Sequence, residues 1–246
     1  LENTAVPGAR GSDLEPRLLH AAGFAGWRGA ARQRRDPAAF TPAAGTFRGK
    51  GLADNMANEW ARKVGQMLRH VRPGLGALAT SRLSLPGHGM VISSPAFQDG
   101  GAIPVRYTQD GESLFPPLYW DNVPAAAKSL VLLVEDADAP FPRPLVHALL
   151  HAIPPTLSGI PEGGVALRQT RKSPLGFKAG RNSVSRAGWM APSPIPGHGP
   201  HRYAFQLFAI DTLPSFASPP GRGTVLRAVR QNIIAASRVI GVYQRA

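Results

Sequence analysis

The 246-residue sequence has no cysteine, which excludes disulfides, thiolate metal sites and a cysteine nucleophile together. Acidic residues are scarce, with 15 Asp and Glu against 28 Lys and Arg, giving a formal net charge of +13. That surplus suits an anionic ligand, an anionic membrane surface or nucleic acid, and charge alone does not choose among them. No apolar run reaches the roughly 18 to 20 residues that a transmembrane helix needs. Nor is there a Gly-x-Ser-x-Gly elbow, and no serine sits where a base would activate it. His147 and His151 are four apart, but no Glu follows His147, so the HExxH zinc motif is missing. In a strand the two would share a face about 13 Å apart at roughly 3.3 Å per residue, too far for one metal ion. No metal or cofactor is expected. What is plentiful is glycine (27) and proline (25), which favours a turn-rich β architecture over a helical bundle.

The chain divides by composition. Alanine, glycine, proline and arginine fill 31 of residues 1–55, without a sustained hydrophobic period, so this part is expected to be disordered or an extension that is not native. Its weakly apolar run at 18–27 is broken by His20 and lacks a clear cleavage site, so no secretory signal is expected and a cytoplasmic location is. From residue 56 to 80 a basic amphipathic helix and linker are expected. Met56, Trp60, Val64, Met67, Leu68 and Val71 form one apolar stripe that Pro73 and Gly74 end. Such a helix packs on its own domain, on a second copy in a homodimer, on another protein partner, or on a membrane surface.

Residues 81–246 read as the main domain. Segments 90–97, 103–108, 129–135, 145–153 and 202–210 are short, rich in β-branched, leucine or aromatic residues, and bounded by Pro and Gly. The uninterrupted apolar run from Ser129 to Glu135 suits a strand covered on both faces. After Thr224, a plausible N-cap, residues Val225, Leu226, Val229, Ile233, Ala236 and Ile240 recur at helical spacing, and a C-terminal helix is expected.

Two polar clusters interrupt these apolar segments. Glu135, Asp136, Ala137, Asp138, Ala139 and Pro140 follow the buried run directly. Residues 192–203 hold four prolines and two glycines before His201, Arg202 and Tyr203, a stiff loop that delivers those side chains to a fixed place. His147 lies inside an apolar segment between them, and His198, in the loop, is expected to be exposed. Asp138 and Arg202 read as a structural ion pair joining the two clusters. Arg168, Arg171, Lys172, Lys178, Arg181 and Arg186 form a stretch with no acidic residue, and Phe177 is its one aromatic. Without stacking residues or a reading helix, nucleic acid is not the expected partner.

The order Asp136-Ala137-Asp138-Ala139-Pro140, Val146-His147, Gly180-Arg181-Asn182, Gly197-His198-Gly199-Pro200-His201-Arg202-Tyr203 and Gly241-Val242-Tyr243 resembles the phosphatidylethanolamine-binding protein family. The likeness is greatest to its bacterial, Raf-kinase-inhibitor-like branch. Tyr107 to Glu112 and Pro116 to Trp120 support it, and it covers about 89–243. The sequence departs from the family at Ala137, where proline is common, and at Ser193, where bacterial members often have cysteine. The resemblance implies an all-β fold, a Greek-key β-sandwich with a few peripheral helices. It also implies an anion pocket of Asp136, His147, Pro194, His201 and Tyr203, with Ala139 and Pro140 as apolar wall. The implied function is non-enzymatic binding of phosphate-type or phospholipid head groups; eukaryotic relatives restrain kinases. The physical reading agrees, since a phosphate wants imidazole, tyrosine and backbone donors in a dry, concave site. A small hydrolase using the Asp/His pair on an anionic ester is the alternative.

Overall fold

The computed structural model describes residues 50–83, 89–169 and 172–245. The expectation for residues 1–55 therefore lies, up to residue 49, outside the described residues, as does Arg171. The elements are α1 (Lys50–Leu68), α2 (Ala79–Arg82), β1 (Val91–Ser93), β2 (Leu118–Asp121), β3 (Ser129–Asp136), β4 (Leu145–Ile153), β5 (Gly159–Ile160), β6 (Lys178–Ala179), β7 (His201–Ile210), α3 (Arg222–Val229) and β8 (Ile233–Tyr243). They form two antiparallel sheets, β1-β2-β5 and β6-β4-β3-β7-β8. No helix among the described residues is long and apolar enough to cross a membrane.

Every residue of β3 is buried, and the packing shows why its sequence has no polar face. Leu130, Leu132 and Val134 face the inter-sheet core with Phe115, Leu118, Trp120 and Phe205. Val131 and Leu133 face the other way, against Phe208, Val225 and Val229, where α3 covers the outer face of the large sheet. Among these apolar neighbours Glu135 is buried but fully bonded. It accepts from the Ala79 amide (3.0 Å), Gln206 Nε2 (2.7 Å) and Arg222 Nε (2.5 Å), which ties α2, β3, β7 and α3 together.

Three expectations need correction. The helix near the C-terminus exists, but it starts at Arg222 after Gly221 and stops at Val229. Residues 233–243 are instead strand β8, paired with β7 from His201 opposite Tyr243 to Ile210 opposite Ile233. Positions 225, 229, 233 and 240 fit a helical period, but from 233 onward a strand period fits as well. β7 decides between them, because its outer backbone groups need a partner. Segment 103–108 is not a strand. It pairs only around Ala102 and Ile103 with Val242, then turns into a short 3-10 helix after Pro104, which has no N–H to continue a ladder. The strand at 90–97 shrinks to Val91–Ser93, as Ser94 turns its hydroxyl to the Pro117 carbonyl ahead of Pro95.

Helix α1 begins at Lys50 and docks by an unexpected face. Gly65 is buried, and a Cβ there would collide with the Pro196 carbonyl and the His198 amide. Gly197 has φ 77° and leaves no room for a Cβ beside the Arg62 carbonyl. Two glycines thus let helix and loop meet backbone to backbone. Arg72 locks the contact by donating to the carbonyls of Pro200 (2.7 Å) and His198 (2.5 Å). Met56, Trp60 and Met67 of the expected stripe point outward, at 69%, 72% and 81% exposure.

Candidate functional site

A cavity of about 310 Å³ opens where the ends of β3 and β7 meet the proline-rich loop, and all seven expected ligand-binding residues line it. A β-bulge places the first of them. β3 pairs Val134 with Ala148 and Glu135 with Val146, so His147 is an extra residue on β4. Strict alternation would turn His147 to the outer face with Val146's neighbour Leu149. The bulge turns it inward beside Ala148, and its ring meets Tyr203 edge-on at 5.1 Å. The same shift separates it from His151, which packs on Phe216 at the outer face. The two histidines therefore point to opposite faces, correcting the same-face expectation.

His147 Nδ1 donates to the Met190 carbonyl at 2.5 Å, which leaves Nε2 as the atom facing the cavity. Nε2 is buried without a hydrogen-bond partner in the protein, and so is the Tyr203 hydroxyl. Burial pushes the His147 pKa below its ordinary value, outweighing the attraction of Asp136 for its charged form. Burial likewise raises that of Tyr203 far above the normal phenol range. The site thus presents a bare imidazole nitrogen and a phenol O–H donor, both sequestered from water.

Asp136 and His201 also line the cavity, but their polar atoms are engaged. Asp136 Oδ1 accepts from the amides of Asp138 (2.8 Å) and Ala139 (3.1 Å), closing the turn that presents Ala139 and Pro140 as wall. Oδ2 accepts from His201 Nδ1 at 2.7 Å. His201 Nε2 meets His198 Nδ1 at 2.7 Å, and His198 Nε2 reaches the Leu68 carbonyl at the end of α1, at 2.8 Å. His198, expected to be exposed, is buried at 1%. Its covering comes from α1, some 130 positions earlier in the chain, and no local signal announces it.

Protons can be counted along this chain. A carboxylate oxygen and a carbonyl terminate it, and both only accept. Three bonds through two imidazoles need three N–H protons, one more than two neutral rings carry. The full set of three bonds therefore holds one proton more than two neutral imidazoles and a carboxylate carry between them. Burial and the neighbouring His201 push the His198 pKa down.

Outer contacts hold the two loops. Arg202 grips Asp138 with Nε (2.7 Å), Nη2 (2.6 Å) and its own amide (2.9 Å), and Arg72 lies 3.4 Å from the same carboxylate. The Asp138 carboxyl stays below its usual range because these bonds outweigh a larger single burial penalty. Asp110 accepts from Tyr243 and from two nitrogens of Arg245, whose third nitrogen donates to Ser193 at 2.9 Å. Sequence reasoning missed Gln109, Phe141, Leu145, Met190, Ser193 and Ile195 as cavity walls. Only Ser193 and Ile195 carried a signal, as neighbours of Pro194.

Known proteins are similar to this chain in sequence and fold. A family model described as phosphatidylethanolamine-binding protein matches residues 93–244. A UPF0098 protein of Methanothermobacter thermautotrophicus is 37% identical over 156 residues, 63% of this chain and 99% of its own length. A UPF0098 protein of Mycobacterium tuberculosis H37Rv is 33% identical over 173 residues, 70% of this chain and 79% of its own. Two crystal structures each align along their whole length with 65% of this chain. Escherichia coli YbcL, described as a member of the mammalian PEBP family, has a TM-score of 0.60 at 26% identity. The PEBP homologue CT736 of Chlamydia trachomatis has 0.58 at 30%. The matched span exceeds half the sequence and contains the whole five-stranded sheet, and the chain accordingly belongs to the phosphatidylethanolamine-binding protein family.

Proposed function

We propose that this chain is a non-enzymatic binding protein whose cavity holds a small phosphate-type group, free or carried on a head group such as phosphoethanolamine. One observation carries the reading. His147 Nε2 and the Tyr203 hydroxyl line the same cavity, both buried and both without a protein partner. Leaving such an atom unbonded costs about 1–3 kcal/mol, which a ligand with matching oxygens recovers. A protonated phosphate matches both atoms. One oxygen accepts from Tyr203, and a P–OH group donates to His147 Nε2.

The chemistry also favours binding over hydrolysis. The Asp136–His201 pair offers no free nitrogen for a general base, since both nitrogens of His201 are already bonded, and the free Nε2 of His147 has no hydroxyl nucleophile bonded to it. Ser193, the loop hydroxyl at the cavity, is held by Arg245 rather than by a histidine.

Thermal melting with millimolar inorganic phosphate or phosphoethanolamine tests the proposal. The wild type is expected to be stabilised according to ligand concentration over Kd. Tyr203→Phe, which keeps the ring, is expected to bind about tenfold more weakly, as for loss of one hydrogen bond to a charged group. An equal shift in wild type and Tyr203→Phe would place the anion elsewhere and sink the reading.

A further inference from the structure

The cavity does not end at its rim. Two grooves, of about 930 and 600 Å³, adjoin it. The larger shares Phe141, Leu145 and Met190 with the cavity, and the smaller shares Gln109, Met190 and Ala191. Arg143, Arg181 and Arg222 line the larger groove, Arg168 and Arg186 the smaller, and neither has an aspartate or glutamate in its lining. Arg222 is neutralised by Glu135. Arg143 and Arg181 are exposed, and no carboxylate among the described residues pairs with either.

Both arginines start from stiff backbone. Arg143 sits between Pro142 and Pro144, so its own dihedrals are restricted. The Arg181 amide donates to the Pro220 carbonyl at 2.8 Å. The next residue, Asn182, accepts from the amides of Val184 (3.1 Å) and Arg186 (3.0 Å), closing the turn that forms the wall between the two grooves. Two guanidinium groups lining one groove, with no counter-charge among the described residues, make a site for a phosphate or carboxylate, which each can grip with two parallel bonds. Their stiff supports reduce the ordering cost of binding.

We propose that the physiological ligand carries two anionic groups. One, of phosphate type, is buried between His147 and Tyr203. The second, a phosphate or carboxylate, lies outside on Arg143 and Arg181, with the connecting atoms passing Phe141 and Met190. The proposal rests on the cavity reading above and sharpens it into a substrate class: a small soluble bis-anionic ester rather than a zwitterionic head group. An ethanolamine ammonium leaving the cavity on this side would meet like charge, whereas a second phosphate meets unneutralised arginine.

Isothermal titration of the full chain at low salt separates the possibilities with three probes: inorganic phosphate, phosphoethanolamine and propane-1,3-diol bisphosphate. The expected order of affinity is bisphosphate over phosphate over phosphoethanolamine, the first step being about tenfold, as for one added charge-assisted contact. In Arg143→Gln/Arg181→Gln the bisphosphate advantage should vanish while inorganic phosphate binds as before. Both positions are exposed, so the pair is expected to fold normally. A bisphosphate that binds no tighter than phosphate would overturn the proposal. So would an advantage that survives in that double variant, or one that disappears only in Arg168→Gln/Arg186→Gln. Failure of the cavity reading looks different: Tyr203→Phe then leaves all three affinities unchanged.

Discussion

His198 Nδ1 lies 2.7 Å from His201 Nε2, and this contact joins the cavity to helix α1. On one side His201 reaches the Asp136 carboxylate, and on the other His198 reaches the last carbonyl of the helix. The pocket's histidine and the seat of α1 therefore form one hydrogen-bonded unit.

His198 is the link on which the helix depends, because its Nε2 reaches the Leu68 carbonyl. Removing that ring is expected to loosen the C-terminal turn of α1 while the sheet stays intact. Hydrogen exchange at residues 65–72 should be faster in His198→Ala than in the wild type, with β3 and β7 protected as before. Equal protection in the two proteins would show that Arg72 and the Gly65 contact seat the helix without His198.

Two other buried histidines set the acid limit of the fold. Burial lowers the His147 pKa, and lowers that of His151 to about 4, with Lys178 adding to the latter. In the unfolded chain both take protons near 6.5. Their contribution to stability is complete above about 6.5. It is lost as the pH falls below that, down to about 4 for His151, because the unfolded state binds protons that the folded state refuses. Each contributes at most about 1.4 kcal/mol per pH unit in that window. The Asp138 pair does not counter this trend, since its carboxylate gives up stability only below about 3.9. Urea midpoints should fall from pH 7 to pH 4.5, and His151→Leu should flatten the fall by about half of the slope these two residues supply. An unchanged slope would mean that His151 charges freely in the folded protein.

These features were unequally legible beforehand. The run from Ser129 to Glu135 announces a doubly covered strand because both faces of β3 are apolar, and nothing distant is needed to see it. Asp136, His147, His201 and Tyr203 stand out by resemblance to a family, and they do line one cavity. That His147 points inward could not be read, since a bulge is a property of the pairing with β3 and not of β4 alone. The hydrogen-bond partners of Asp136 and His201 could not be read for a related reason. Their bonds depend on His198, and His198 depends on α1. β8 was lost to an ambiguity of period, as apolar residues at 225, 229 and 233 satisfy a helix until β7 demands a neighbour.

Glu135 supplies a prediction about stability alone. Its carboxylate accepts from Arg222, Gln206 and the Ala79 amide, and it faces away from the cavity toward the α3 side. Glu135→Ala would strand these donors and is expected to cost about 3 kcal/mol or more. Denaturant titration measures this. Replacing Arg222 as well, in Glu135→Leu/Arg222→Leu, should recover part of the loss. A double variant as unstable as the sum of two singles would show that the cost lies in packing rather than in stranded charge.

The last prediction concerns the ligand's proton. Burial in the cavity disfavours the charged form of His147, because desolvation outweighs the pull of Asp136. A bound phosphate oxygen at Nε2 requires a hydrogen between the two atoms, since neither bare nitrogen nor bare oxyanion can donate. If the anion arrives without that proton, the site must take one from solvent. Phenyl sulfate, which carries no proton at neutral pH, makes the test clean. Its binding should take up close to one proton, read as a calorimetric enthalpy that varies with the ionisation enthalpy of the buffer. Its affinity should then fall about tenfold per pH unit above neutrality. His147→Gln offers its own N–H donor, and should bind phenyl sulfate with no proton uptake and a flat pH profile. Uptake that persists in His147→Gln would assign the proton to the His198–His201 pair instead, and would show that the anion reads the Asp136 side of the cavity.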